Sequence, residues 1–259
     1  MRVLMVGDVV GKPGRRAVAA LVPDLRGELS IDLVIANGEN AAAGRGLIPS
    51  TAQELFQAGV DVITSGNHIW DQKEMIPALD GESPIVRPLN YPPGTPGHGL
   101  VQMGNATVIN LQGRAFLPAT DCPFRTVDAV LADLPWPGVI IVDMHGEATS
   151  EKIAMGWYLD GRVSAVLGTH THVGTVDARL LPRGTAFVCD VGMVGGLNSI
   201  IGDEVEAVVS RFLTQLPNRL PVAEHCRIIQ FNAVLVDIDE TTGRACSIER
   251  VDRQWERRD

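Results

Sequence analysis

The chain has 259 residues and a formal net charge of −9, with 45% hydrophobic and 20% charged residues. That balance is ordinary for a globular protein and argues against binding duplex nucleic acid, which needs Lys and Arg to displace counterions. Four cysteines without a C-x-x-C pair exclude a disulfide framework and leave a thiolate metal site without support, and no apolar run is long enough to span a bilayer.

At the N-terminus, residues 2–7 read as a strand, and Asp8 follows at once, so there is no signal-peptide core and the cytosol is the expected compartment. Residues 13–28 carry Ala and Leu at helical spacing behind Pro13. A strand at 32–36, a helix over Pro49–Gln57 stopped by Gly59, a strand at 61–64 and a helix at 71–79 follow. Strands alternating with helices imply βαβ units and a largely parallel sheet.

Pro and Gly dominate from Ser83 to Gly113, around Tyr91-Pro-Pro-Gly, and the stretch ends in a hairpin of 100–103 with 106–111, turning at Gly104-Asn105. A helix at 124–134, strands at 139–144 and 163–168 flanking a helix at 150–159, and a strand at 185–189 come next. The chain closes with a helix at 204–214 and two antiparallel strands, 229–237 and 245–251. No linker or repeat divides the chain, so one domain over 1–259 is expected. Parallel pairing early and hairpins late suggest mixed sheets packed face to face with helices outside.

Ligands of open α/β sheets bind beyond the carboxyl ends of strands, so the residues just after each strand carry the functional information. They are Gly7-Asp8, then Asn37-Gly38-Glu39-Asn40, then Ser65-Gly66-Asn67-His68, then His145-Gly146-Glu147, then Gly168-Thr169-His170-Thr171-His172. Four of the six histidines fall here, among carboxylates and amides suited to first-row divalent metals or magnesium. Each piece alone also reads as a turn former, a cap or a satisfied half-buried histidine. His170-x-His172 is the stronger signal, because alternate residues of an extended segment share a face. Five such coincidences at strand ends point to a metal site.

The order Asp, Gly-Glu-Asn, Gly-Asn-His, His, Gly-Thr-His-Thr-His resembles the calcineurin-like metallophosphoesterases. Two departures, Val10 where that pattern has histidine and Glu39 where it has aspartate, match the YmdB-like phosphodiesterases. So do the stretches Gly7 to Arg15, His145 to Lys152 and Asp190-Val191-Gly192-Met193. The resemblance implies an α/β metallophosphoesterase-type αββα sandwich. It implies one metal held by Asp8, Glu39, Asn40 and His172, and a second held by Glu39, Asn67, His145 and His170, with Glu39 bridging. It makes His68 the acid that protonates the leaving oxygen, after attack by a bridging hydroxide. Iron is favoured for the metal pair, with manganese or zinc as alternatives.

The implied substrate is a small phosphodiester or nucleotide, 2′,3′-cyclic nucleotides in particular. Arg15, Lys12, Asn198 and Ser199 are candidate phosphate contacts that also read as surface residues or turn formers. A phosphomonoesterase on the same metals is the nearer rival, and a non-catalytic metal-dependent regulatory protein is the more distant one. A dinucleotide-binding loop at Gly7-x-x-x-Gly11-x-x-Gly14 fails because Val9 stands where the second glycine belongs. A homo-oligomer stays open.

Overall fold

The computed structural model describes residues 1–134 and 138–257; the expected 1–259 unit also takes in 135–137 and 258–259, which lie outside the described residues. In chain order the first strands are β1 (Arg2–Val6), β2 (Asp8–Val9), β3 (Leu33–Asn37), β4 (Val62–Thr64), β5 (Leu100–Met103), β6 (Ala106–Gln112), β7 (Val139–His145) and β8 (Ala165–Thr169). The later ones are β9 (Arg179–Leu180), β10 (Ala186–Val188), β11 (Met193–Gly196), β12 (Ile228–Phe231), β13 (Ala233–Asp239), β14 (Arg244–Arg250) and β15 (Arg253–Glu256). The helices are α1 (Gly11–Glu28), α2 (Pro49–Gln57), α3 (Pro123–Asp133), α4 (Thr149–Leu159) and α5 (Val205–Thr214).

A five-stranded sheet runs β14-β13-β1-β3-β4 and a six-stranded sheet runs β5-β6-β7-β8-β10-β9. Both are mixed, with parallel pairs at their centres (β1 with β3, β7 with β8) and antiparallel pairs towards an edge. Their facing sides share one apolar layer, with Val3, Met5 and Ile35 on one side and Ile141, Leu167 and Val188 on the other. The outer face of the first sheet packs against α1 and α2 through Val18, Val22 and Leu55. The outer face of the second packs against α3 and α4 through Val127, Met155 and Leu159. The result is the expected αββα layering, with aliphatic side chains filling the core.

Three expectations need correction. The strand expected at 2–7 is β1 but ends at Val6: the chain leaves the first sheet at Gly7, and β2 pairs with β11 in a third, four-stranded sheet, β15-β12-β11-β2. Gly7 permits this crossing because a Cβ there would lie 2.0 Å from the Gly192 carbonyl oxygen. Likewise 229–237 divides at Asn232 into β12 and β13, which belong to different sheets. The helix expected at 71–79 is a 3₁₀ turn, Lys73–Ala78, with Pro77 inside it.

Among the described residues, no helix is long and apolar enough to cross a membrane.

Candidate metal centre

The parallel strands deliver the ligand-type side chains to one end of the sandwich. His145 is the last residue of β7, His170 follows β8, and Asp8 opens β2. Glu39 and Asn40 lie just beyond β3, and Asn67 and His68 just beyond β4. Asp8, Glu39, Asn40 and His145 are all buried.

His145 Nε2 is the hub. It lies 3.1 Å from Asn67 Oδ1, 3.1 Å from Glu39 Oε1 and 3.0 Å from His170 Nδ1. These are the residues expected around the second metal. Glu39, His145 and His170 present ligand atoms within 4.8 Å of one another. The first expected set gathers beside it: Asn40 Nδ2 is 3.1 Å from His172 Nε2 and 3.4 Å from Glu39 Oε1, and Asp8 Oδ1 is 3.8 Å from His172 Nε2. Half a turn of the Asn40 amide exchanges its nitrogen for its oxygen, the atom a cation would take.

The outer nitrogen of each of the three imidazoles is already occupied. Nδ1 of His145 donates to Thr169 Oγ1 at 3.0 Å, and that hydroxyl donates to Asp143 Oδ1 at 2.7 Å. Nε2 of His170 faces Glu147 Oε2 at 2.9 Å, and Nδ1 of His172 donates to the Ile201 carbonyl at 2.6 Å. Each ring therefore turns its remaining nitrogen inward, the arrangement that holds histidines as metal ligands.

The electrostatics fit a cation. Asp8 Oδ1 is buried with no hydrogen-bond partner. Burial pushes the Asp8 carboxyl up to about 7, against the pull of His172 and His145. Burial opposes charge on His145 too, yet Glu39, Asp8 and Asp143 outweigh it and raise the ring to about 9. For Glu39 burial works upward, but the His145 ring overrides it and holds the carboxyl near 2. Burial and then His145 press His170 down to about 3. The opposed shifts of His145 and His170 show how closely these groups are coupled, and a multivalent cation would serve all the inward atoms at once. Gly66 completes the cradle: a Cβ there would lie 2.2 Å from His145 Nε2 and 2.5 Å from Glu39 Oε2.

His68 stands at the rim. Its backbone N–H donates to Glu39 Oε2 at 3.0 Å, and its Nδ1 bonds Asp71 Oδ2 at 2.8 Å, while Nε2 has no hydrogen-bond partner among the described residues. His68, Glu39, Asn40, His170 and His172 line one cleft of about 250 Å³, and Val10 forms part of its wall.

The candidate phosphate contacts do not join the cluster. Arg15 pairs with Glu54 at 2.6 Å and donates to the Ala41 carbonyl, so it braces the loop that carries Asn40. Lys12 lines a separate cavity with Arg16 and Glu224. Asn198 is exposed. Ser199 accepts from Gly202 N and donates to the Gly196 carbonyl, which closes a turn. The sequence reading does not single out Asp71 or Asp143 and gives Thr169, Lys152 and Asp190 no role; Asp71, Asp143 and Thr169 orient rings, and Lys152 and Asp190 lie beneath the histidine loop.

This αββα fold, with carboxylates, amides and imidazoles converging at strand ends, is that of the metallophosphoesterases. The chain belongs to the YmdB-like protein family, whose model matches residues 4–251. It is 48% identical to the 2′,3′-cyclic-nucleotide 2′-phosphodiesterase of Bacillus subtilis (strain 168), over 97% of this chain and 96% of the relative. A protein of Thermus thermophilus with a known crystal structure is 46% identical, with a TM-score of 0.91 over 98% of this chain and 99% of that one. A phosphatase from Mycoplasma pneumoniae superimposes with a TM-score of 0.92 at 32% identity, covering 99% of this chain and 94% of the other.

Proposed function

We propose that this phosphoric ester hydrolase is a phosphodiesterase that opens 2′,3′-cyclic nucleotides at a dinuclear metal site. The observation that carries the metal site is the set of three imidazoles, each with its outer nitrogen tied and its inner nitrogen turned toward the group of Asp8, Glu39 and Asn40. Asp8, Glu39, Asn40 and His172 would hold one ion and Glu39, Asn67, His145 and His170 the other. When bound, such ions activate water and neutralise charge on the phosphoryl oxygens. The residue set suits iron, manganese or zinc better than calcium, and the family likeness favours iron.

The chain's own residues do the rest. Glu39 spans both sets, and its Oε2 fixes the His68 backbone. Asp71 holds the His68 ring by Nδ1, so Nε2 is the atom that gives its proton to the departing ribose oxygen. One P–O bond forms with water oxygen and one P–O bond to ribose breaks, with net addition of one water. The cyclic-nucleotide substrate rests on the relative from Bacillus subtilis. The same reading takes the chain as one domain acting on a small-molecule partner in the cytosol, and the free thiols of Cys122, Cys189, Cys226 and Cys246 accord with a reducing compartment.

A monoesterase is the second reading, favoured by the phosphatase name of the Mycoplasma pneumoniae structure. The test is metal analysis together with turnover of a 2′,3′-cyclic nucleotide and of its monoester product, for wild type and Glu39→Gln. Cyclic-ester hydrolysis that needs metal and Glu39 is expected. Preferred monoester turnover would replace the proposal with the second reading. Bound metal without hydrolysis of either ester would make the chain a metal-dependent binding protein.

A further inference from the structure

The metal cleft does not end at His172. Gly44, Arg45 and Asp203 line it, and the same three residues line a second cavity of about 420 Å³. Arg211 and Arg219 form the far wall of that cavity. Among the described residues, the side chains of Arg45, Arg211 and Arg219 make no ion pair. Three arginines therefore line one cavity beside a single acidic residue, Asp203, on a chain whose net charge is −9. The carboxylate is half-buried, and burial raises its pKa while His172 and Arg45 oppose the rise.

The backbone under these arginines is tied down. Gln72 Nε2 donates to the Arg45 carbonyl at 2.9 Å, and Asn218 Nδ2 donates to the Ala207 carbonyl at 2.8 Å. Glu204 N donates to the Pro221 carbonyl at 2.9 Å. Planar guanidinium groups without carboxylate partners are suited to phosphate oxygens, which they bind through paired charge-assisted hydrogen bonds.

We propose that this arginine-lined cavity is a subsite for a second phosphate of the substrate, carried on the 5′ oxygen of the nucleoside whose cyclic phosphate lies in the metal cleft. The inference rests on the cyclic-nucleotide reading above. Its chemistry follows from the substrate: a 2′,3′-cyclic phosphate occupies both secondary ribose oxygens, so the 5′ oxygen is the ribose hydroxyl left to carry another. That phosphate is either a terminal 5′-phosphate or the internucleotide phosphate of a short RNA ending in a cyclic phosphate.

The test compares adenosine 2′,3′-cyclic phosphate with two probes that add a 5′ phosphate: the 5′-phosphorylated mononucleotide and the dinucleotide ApA ending in a 2′,3′-cyclic phosphate. Metal-loaded wild type is expected to show higher kcat/KM on at least one added-phosphate probe, and the probe that gains identifies the source. In Arg211→Gln/Arg219→Gln that preference should fall by about tenfold or more, the scale of one charge-assisted contact. Equal losses on all three probes would mean general attraction of anions, and an unchanged preference would mean no contact; either overturns the subsite.

Binding gives a readout independent of turnover. Calorimetry should find adenosine 3′,5′-bisphosphate bound about tenfold tighter than adenosine 3′-phosphate by wild type, with the gap closed in the double variant. If wild type hydrolyses no cyclic probe but the bisphosphate gap is present and arginine-dependent, the substrate reading fails while the phosphate site stands. If the gap is absent, the site falls whatever the turnover. Circular dichroism checks that the variant is folded, and Arg219→Glu, an exposed single change, should reverse the gap if the double variant is not.

Discussion

Lys152 Nζ lies 2.7 Å from Asp190 Oδ2, and each side chain is only 1% exposed. This buried pair sits directly under the loop that carries His170 and His172. Lys152 also approaches the Thr169 carbonyl at 3.4 Å, and Asp190 Oδ2 accepts from Thr171 N at 3.1 Å and Thr171 Oγ1 at 2.8 Å. The loop needs such a hold. His170 and His172 adopt φ of 104° and 65°, a left-handed region that costs a non-glycine residue about 1–3 kcal/mol.

Lys152→Met is therefore expected to act twice. Leaving Asp190 charged and without its cation should cost about 3–5 kcal/mol of stability, read by urea denaturation. Releasing the loop should also weaken Mn²⁺ binding by about 10–100-fold, read by electron paramagnetic resonance titration. Lys152→Met/Asp190→Asn removes the buried charge and should recover part of the stability but not the metal affinity. Native affinity in the double variant would reduce the pair to a fold-stabilising contact.

Gly66→Ala tests the cradle from the other side. A single methyl group would enter the space between His145 Nε2 and Glu39 Oε2, at 2.2 and 2.5 Å. Expected is loss of metal from the purified protein and of hydrolysis with it, with thermal unfolding shifted far less than by a core cavity. The measurement is metal content beside the melting curve. Full metal content in Gly66→Ala would mean that the ligands do not converge as described.

The place where the candidate ligands gather was legible because a strand end is visible where an aliphatic run stops, and the side chain found there was each time of a type that can bind cations. The change of sheet at Gly7 and Asn232 was not legible. Residues 229–237 read as one strand because the break comes from outside it: Asn232 N donates to the Met193 carbonyl, and Asn232 O accepts from Gly7 N. The strand Met193–Gly196 lay hidden for a related reason, since two of its four residues are glycine and carry no alternating pattern. Lys152 had a usable signal. It shares the buried stripe of α4 with Met155, Gly156 and Leu159, where a charged residue calls for a buried partner.

The His68–Asp71 contact lets the proposed acid role be tested apart from metal binding. Asp71 Oδ2 at 2.8 Å from Nδ1 fixes the ring of a residue that lines the cleft. His68→Ala is expected to lower kcat by about 10²–10⁴-fold while the metal content stays native, because the ring is not among the inward ligands. Asp71→Asn should lower kcat less, since the amide oxygen still accepts from Nδ1. A substrate with a good leaving group, such as a nitrophenyl phosphodiester, needs no proton and should largely restore His68→Ala. Equal losses on both substrates would remove His68 from the acid role.

Glu147 orients His170 from the rim. Its Oε2 lies 2.9 Å from Nε2, which leaves Nδ1 facing His145, but the glutamate side chain is 49% exposed. Solvent weakens an interaction of that kind, so Glu147→Ala should reduce Mn²⁺ affinity by about tenfold, the low end for a partner that holds a metal-binding histidine. Glu147→Gln keeps an acceptor for Nε2–H and should lose less. The ordering wild type, Gln, Ala in affinity, with unfolding curves that coincide, is the signature of orientation alone. If both variants bind Mn²⁺ as wild type does, the strained backbone at His170 and the Asp8 contact to its amide suffice to aim the ring, and Glu147 only borders the cleft.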